Sequence, residues 1–286
     1  MSFNRHIFTI LLVLAGITKL FGQPYFDLVS VTGWNIPQGG TSVPAAENYI
    51  TGAIAAPVKL GENKLVLFKT YYEQRTLHFA NEALEHNVNL YGTGIPVTLL
   101  LSKSDSTFKQ AFTVIGRFNA TEWRFNANAF QIAAAYLATW RLKPNLHVQL
   151  GIYYSREFFS DFFLPLAGID WRISKKVNFF GVFPNAMRLE FNPVKNVFVG
   201  ADFKSVLNSY RSQITDNSYW KVLDNHLGLF AEYALNGRYT LYAGSGISFL
   251  RKITTMNITS SNYPEITGDQ YYLKAGMYFR IREKAD

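Results

Sequence analysis

The sequence predicts an all-β fold, a single antiparallel up-and-down transmembrane β-barrel of about 14 strands. Three observations predict it. Segments of about 10 residues recur in which apolar side chains alternate with polar or small ones, the period-two signature of strands. The connections between them alternate short and long, as in outer-membrane barrels with turns in the periplasm and loops outside. Finally, mean hydropathy is close to zero, and no stretch offers the roughly 20 consecutive apolar residues of a membrane helix.

Composition narrows the function classes. The 286 residues include no cysteine, 48% hydrophobic, 16% aromatic and 17% charged residues, with a formal charge of +8. Disulfide scaffolds, thiolate zinc sites, cysteine nucleophiles and an acylated lipoprotein terminus are thereby excluded. Charges interleaved with apolar residues at period two, rather than gathered in a patch, argue against nucleic acid. No glycine-rich phosphate loop follows a strand and opens a helix.

Residues 1–22 read as a secretory signal peptide, with Arg5 in the leading segment, an apolar run from Ile7 to Ile17, and cleavage after Gly22. Residues 23–286 then form the barrel. Losing Arg5 and Lys19 leaves 26 basic and 20 acidic residues, a charge of +6. The predicted location is the bacterial outer membrane of a Gram-negative cell.

Strands are predicted to begin near residues 25, 48, 64, 94, 108, 129, 146, 163, 177, 187, 197, 222, 238 and 269. The even count returns both ends to the periplasm. The mature length of 264 divided by 14 gives about 19 residues per strand and connection, which fits strands of about 9 to 11 residues. The first strand, Tyr25 to Trp34, and the pair around Pro184-Asn185 carry the least pattern, and twelve strands is the alternative count. The last strand carries the most: Tyr271, Leu273, Ala275, Met277, Phe279 and Ile281 face one way, and Tyr272, Lys274, Gly276, Tyr278, Arg280 and Arg282 the other. Short turns are predicted at 61–64, 103–106, 143–145, 174–176, 192–196 and Asn236-Gly237, the last a strong type I′ hairpin signal. Longer loops are predicted near 35–47, 74–90, 119–128, 156–162, 211–221 and 254–268. Trp140 and Trp171 precede short turns, whereas Trp34, Trp123 and Trp220 sit at the loop ends, which predicts two aromatic belts. Pro57, Pro96 and Pro165 fall inside or near the start of strands, where bulges or strand ends are expected. A soluble β-sandwich is disfavoured because the chain has few charges and many glycines and aromatics.

The chain resembles an uncharacterised family of outer-membrane β-barrel proteins of the Bacteroidetes, a domain of unknown function. The resemblance rests on the signal peptide cut before Gln23, on Ala56-Pro57-Val58-Lys59-Leu60 feeding a turn, on Arg188-Leu189-Glu190-Phe191-Asn192-Pro193 leading into a second, and on the aromatic C-terminal strand. That strand resembles the signal read by the barrel-assembly machinery, although the chain runs on from Arg280 to Asp286. The resemblance implies fold and location and carries no activity.

Candidate chemistry sits mainly on the predicted lumen face. Lys109, Arg117, Arg141, Arg172, Arg188, Glu190, Asp202, Lys204, Asp224, His226, Glu232, Lys274 and Arg280 are the lumen-facing candidates, with Lys59, Lys69 and Asp170 beside them. Cations outnumber anions, so a water-filled pore would favour anionic solutes. The competing reading is a network of ion pairs that seals the interior. No enzyme is predicted: His147 is followed two residues later by Gln149, so the His-x-Ser pair of an outer-membrane phospholipase is missing. Asp224 and His226 share a face as a carboxylate and imidazole would in a triad, without a serine in the same strand. If 76–86 forms a loop helix, His78, Glu82 and His86 line one face at a spacing that could hold a metal ion, but the favoured reading is a solvated helix folded over the barrel mouth, packing Leu77, Phe79 and Leu84 inward. No cofactor is predicted. The expected partners are outer-membrane lipid and lipopolysaccharide, whose phosphates Arg75, Arg124 and Arg211 would meet, and the barrel-assembly machinery during biogenesis. The leading function is passive passage of small polar or anionic solutes. The alternatives are a non-conducting structural or accessory barrel engaging another envelope protein, and a lipid-directed enzyme.

Overall fold

The computed structural model describes residues 24–37, 45–79, 87–123, 125–212, 217–256 and 265–282. The signal peptide, Glu82, His86 and Arg124 lie outside them. Strands β1 (Tyr25–Ile36), β2 (Ala45–Gly61), β3 (Lys64–Phe79), β4 (Asn87–Ser102), β5 (Phe108–Ala120), β6 (Phe130–Lys143), β7 (Leu146–Arg156) and β8 (Asp161–Arg172) each pair antiparallel with the next. The meander continues through β9 (Val177–Phe183), β10 (Ala186–Phe191), β11 (Val197–Arg211), β12 (Tyr219–Leu235) and β13 (Tyr239–Met256). A two-residue strand, β14 (Ile266–Thr267), hangs on β13, and β15 (Gln270–Arg282) pairs with both β13 and β1, which closes the ring. Fourteen strands therefore form the wall.

Period two decides which side chains face out. Tyr271 (76% exposed), Leu273 (62%) and Leu229 (71%) project outward, while their neighbours Tyr272 and Phe230 are buried. Val31, Ile54, Phe68, Ile95, Val114, Leu150, Phe163 and Leu241 extend this apolar outer surface around the ring. Exposed hydrophobic area on this scale suits hydrocarbon, not water. Trp140 and Trp171 join it near the short turns, as predicted.

The three prolines sit where a ladder is interrupted. Pairing of β1 with β2 stops at Ile54, before Pro57. Pairing of β3 with β4 skips Ile95 and Pro96 between Gly94 and Val97. Pairing of β8 with β9 begins at Ala167, past Pro165. Each missing N–H thus falls beside a gap in one neighbouring ladder.

All six short turns lie where the sequence places them, and both described chain ends share that end of the barrel, with Tyr25 opposite Arg282. The opposite, long-loop end differs from expectation in two ways. The stretch 74–90 is largely strand: β3 runs to Phe79 and β4 begins at Asn87, so residues 76–79 are not helical. Its outer face there carries Gln74, Thr76 and His78 in an amide and hydroxyl ladder with Asn48, Asn87 and Asn89, which is why it reads as loop. Trp34 and Trp220 are buried inside the barrel rather than in an outer belt. On this same side β9 and β10 are joined by only Pro184 and Asn185.

That short hairpin lets the wall fold inward above it. The end of β11 pairs in parallel with the end of β5 at Arg211 and Ala120, and the Thr121 amide donates to the Arg211 carbonyl at 2.9 Å. Strands β6 to β10 are bypassed at that level. A smaller ring of β1 to β5 with β11, β12, β13 and β15 remains, and an apolar cluster of Leu77, Phe79, Val88, Leu90, Tyr210, Trp220, Val222, Ile253 and Ile266 fills it.

Candidate functional site: the barrel interior

Reading β12 inward-facing residues from the turn end upward gives Glu232, Phe230, Gly228, His226, Asp224, Val222 and Trp220. The series passes from an ion-pair network, through an aromatic level, to a second network and then the apolar cap. Close packing of rings requires small residues opposite: a Cβ at Gly228 would lie 2.2 Å from the Tyr272 hydroxyl, and one at Gly92 would lie 2.6 Å from the Glu73 carboxylate.

At the turn end, Glu232 is held by Arg280 Nη1 and Arg282 Nη2, each at 2.7 Å, and by Arg188 Nη2 at 2.8 Å. Arg280 also pairs with Asp27 at 2.5 Å, and Arg282 with Glu190 at 3.1 Å. Aromatic faces complete the guanidinium shells: Arg280 lies 3.5 Å over Tyr25, Arg282 3.5 Å over Phe198 and Arg188 3.7 Å over Phe230. Planar guanidinium suits such sandwiching better than ammonium does.

Beneath the cap, Arg75 pairs with Glu47 and, at 3.3 Å, with Asp224. Arg251 also pairs with Glu47. It reaches the interior because β13 bulges: Leu250 takes φ 49°, and the register slips by one residue opposite Asp224. The extra residue re-aims Arg251 inward. A third group joins Arg117 to Glu157, with Ser155, Gln131 and Ser209 hydrogen-bonded around that carboxylate.

Between these networks lies a level with different chemistry. Lys204 sits 5.2 Å over the Trp34 ring and 6.0 Å over Tyr49. Lys274 sits 4.6 Å over Trp34 and 4.5 Å over Tyr242. Lys69 projects from the inner face of β3 yet is exposed, so the space it enters is open to solvent. Asp202 accepts from Tyr242 at 2.8 Å, and Glu73 from Tyr49, Tyr210 and Asn208 at 2.6, 2.8 and 3.1 Å.

Several contacts cross the barrel. Tyr25 of β1 meets Phe180 of β9 edge-on with centroids 5.5 Å apart, and the two strands are six places apart around the ring. In the smaller ring under the loops, Glu73 of β3 likewise accepts from Tyr210 of β11, three places away through β4 and β5. A wide, empty pore is incompatible with these distances.

The predicted lumen residues can now be placed. Arg117, Arg188, Glu190, Asp202, Lys204, Asp224, His226, Glu232, Lys274 and Arg280 lie within the levels just described, and Lys109 is buried on the inner face of β5. Arg141 and Arg172 are exposed at the turn-end rim, where Arg141 donates to the Asp105 carbonyl. Asp27, Glu47, Glu73, Arg75, Glu157, Arg251 and Arg282 were not among the candidates, although all engage the interior networks. Arg75 is fully buried rather than turned toward lipopolysaccharide. Arg211 spends its guanidinium on the Asn128 carbonyl and the Phe158 face.

The Asp224–His226 pair does not complete a catalytic set, and two of the three residues of the metal candidate, Glu82 and His86, lie outside the described residues. Asp224 Oδ2 lies 3.3 Å from His226 Nε2, and the Ser248 hydroxyl of β13 donates to the same carboxylate. The serine is thus bonded to the acid and not to the imidazole, the reverse of an activated nucleophile. His78 contacts Asn48 and Asn87 on the outer face, and no cluster of metal-ligating residues occurs among the described residues.

No family model and no curated protein matches the sequence. Solved structures do. An outer-membrane channel from Pseudomonas putida F1 superposes with a TM-score of 0.51 at 7% identity, covering 88% of this chain and 94% of that one. The NanC porin gives 0.42 at 8% identity over 88% and 98%, and the translocator domain of the autotransporter NalP from Neisseria meningitidis 0.37 at 11% over 97% and 97%. At such identities the likeness to the Pseudomonas channel is one of fold, and the fold it shows is the closed outer-membrane type of β-barrel.

Proposed function

We propose that the protein is an outer-membrane channel of narrow bore that passes small polar solutes and prefers anions. The observation that carries this reading is the polar interior behind an apolar wall. Ionisable residues at membrane depth are costly and mark solute pathways by default, and here they continue from the turn-end rim to the apolar cap. The level at Lys69, Lys204 and Lys274, of which Lys69 is exposed, adds a local excess of cations, which raises anion concentration in a low-dielectric lumen. The fold shared with a named outer-membrane channel supports the same direction. Outer-membrane lipid, lipopolysaccharide and the assembly machinery are the partners that such a location implies.

The contacts between opposite strands favour a second reading, a non-conducting barrel that serves another envelope protein. Planar-bilayer recording decides between them. The channel reading expects small unitary currents with a reversal potential displaced toward the anion equilibrium potential in a salt gradient. A correctly folded, heat-modifiable barrel that inserts and passes no current supports the second reading and ends the first.

A further inference from the structure

Arginine and lysine divide the interior between them. Arg75, Arg117, Arg188, Arg251, Arg280 and Arg282 all engage carboxylates. Among the described residues Lys69, Lys204 and Lys274 make no ion pair; the latter two meet ring faces. The nearby carboxylates do not compensate them directly, because Asp202 and Glu73 are occupied by phenol and amide donors. Glu73, Arg75, Lys69 and Asp202 nevertheless lie within electrostatic reach of Lys204, Arg188 and Glu232 within reach of Lys274, and Asp27 within reach of Lys69. With Arg75 and Arg188 counted, five cations therefore face the four carboxylates of Asp27, Glu73, Asp202 and Glu232, which leaves one positive charge in a region lined by Trp34, Tyr49, Tyr242 and Tyr272. An uncompensated charge in such a setting is unfavourable unless an ion arrives to balance it.

We propose that Lys69, Lys204 and Lys274 form an internal binding site for a small monocarboxylate. Each ammonium has three donors and no acceptor, so the carboxylate would bridge Lys204 and Lys274 beside Trp34. The apolar bodies of Trp34, Tyr242 and Tyr272 suit its carbon skeleton. A single excess cation selects a monoanion over a dianion. The site deepens the channel reading, on which it rests for the solute's route, but occupancy can be measured without conduction.

The test is equilibrium dialysis of radiolabelled benzoate against the barrel refolded in detergent at low salt with benzoate present throughout, so that access does not limit filling. Saturable binding near one per barrel is expected, with a loss of about tenfold or more in affinity in K204M/K274M, a loss equivalent to removing one charge-assisted contact. Methionine keeps the stem volume, and heat-modifiable migration on gels confirms folding. K252M, at an exposed lysine paired with Glu265 in the loops, should leave affinity unchanged. Absence of saturable binding in the wild type, or equal binding in K204M/K274M, overturns the site. Succinate dianion binding about tenfold more tightly than benzoate overturns the monocarboxylate assignment. Bound benzoate without bilayer current removes the channel reading and leaves the site standing, whereas current without binding does the reverse.

Discussion

The two ends of the barrel interior use the same side chains in different solvents. At the turn end, the network is dry at its centre, with Glu232, Glu190 and Arg280 at 0 or 1%, but opens toward the rim, where Asp27 retains 28% side-chain exposure and Arg282 14%. Under the loops, Glu47, Arg75, Asp224 and Arg251 are each at 0 or 1% beneath an apolar cap. The difference teaches that an arginine–carboxylate pair has no fixed value in this molecule. Where water remains, a lost partner is replaced by hydration; where it is excluded, the surviving charge is left bare.

Asp224→Ala should therefore give the largest effect. It removes an acceptor shared by Arg75, His226 and Ser248, and breaking a buried pair from one side costs about 3–5 kcal/mol. Urea unfolding in lipid vesicles measures it. A loss below about 1 kcal/mol would mean that water reaches the loop-end network and would dissolve the contrast.

Leu77→Ala tests the cap itself. The side chain is fully buried among Phe79, Val88, Leu90 and Trp220, and truncation of a buried leucine costs about 2–5 kcal/mol. If the cap keeps the layer beneath it dry, the double variant Leu77→Ala with Asp224→Ala should lose less than the sum of the two, because admitted water then solvates Arg75. Strict additivity would show that the cap and the network are independent.

At the turn end, Asp27→Ala should be mild, about 1 kcal/mol or less, since Arg280 keeps Glu232 and the site is partly wet. The loss should shrink further at high salt, where exposed pairs are screened. A salt-insensitive loss matching that of Asp224→Ala would erase the distinction between the ends.

The wall was legible in the sequence and the interior only in part, and β3 shows why. Strand starts can be read wherever one face meets hydrocarbon, because only there is the alternation apolar against polar. Beyond Tyr72 the outer face of β3 turns to Gln74, Thr76 and His78 while the inner face turns from Glu73 and Arg75 to Leu77 and Phe79. The pattern inverts, and the segment looks like a polar loop or an amphipathic helix. Arg251 was missed for a related reason. A bulge at Leu250 switches the parity of β13, and a one-residue change sends a side chain to the opposite face. Partnerships such as Glu73 with Tyr210 join strands far apart in the chain, so no local spacing encodes them. The lysines of the middle level carried a signal as lumen cations, but that they meet ring faces where the interior arginines meet carboxylates follows only from the register.

The smallest effect is expected where a carboxylate is neither buried nor part of a network. Asp105, in the turn between β4 and β5, accepts from the Thr107 amide at 3.0 Å and from its hydroxyl at 2.7 Å. The backbone N–H of Thr107 first, and its hydroxyl second, hold the Asp105 carboxyl below the usual carboxylate range. A depressed carboxyl stabilises the fold above its unfolded value and loses that contribution as pH falls through the folded value. Amide exchange at Thr107 should therefore be slower in the wild type than in Asp105→Ala down to about pH 4, the ordinary carboxyl value, and the two rates should converge below it. Global unfolding should scarcely change, because the group remains in water in both states. Convergence already at neutral pH would mean that the turn does not hold this hydrogen bond in solution. A large global loss would instead extend the dry behaviour of the loop end to a site with no burial at all, and burial could then no longer explain why the two ends differ.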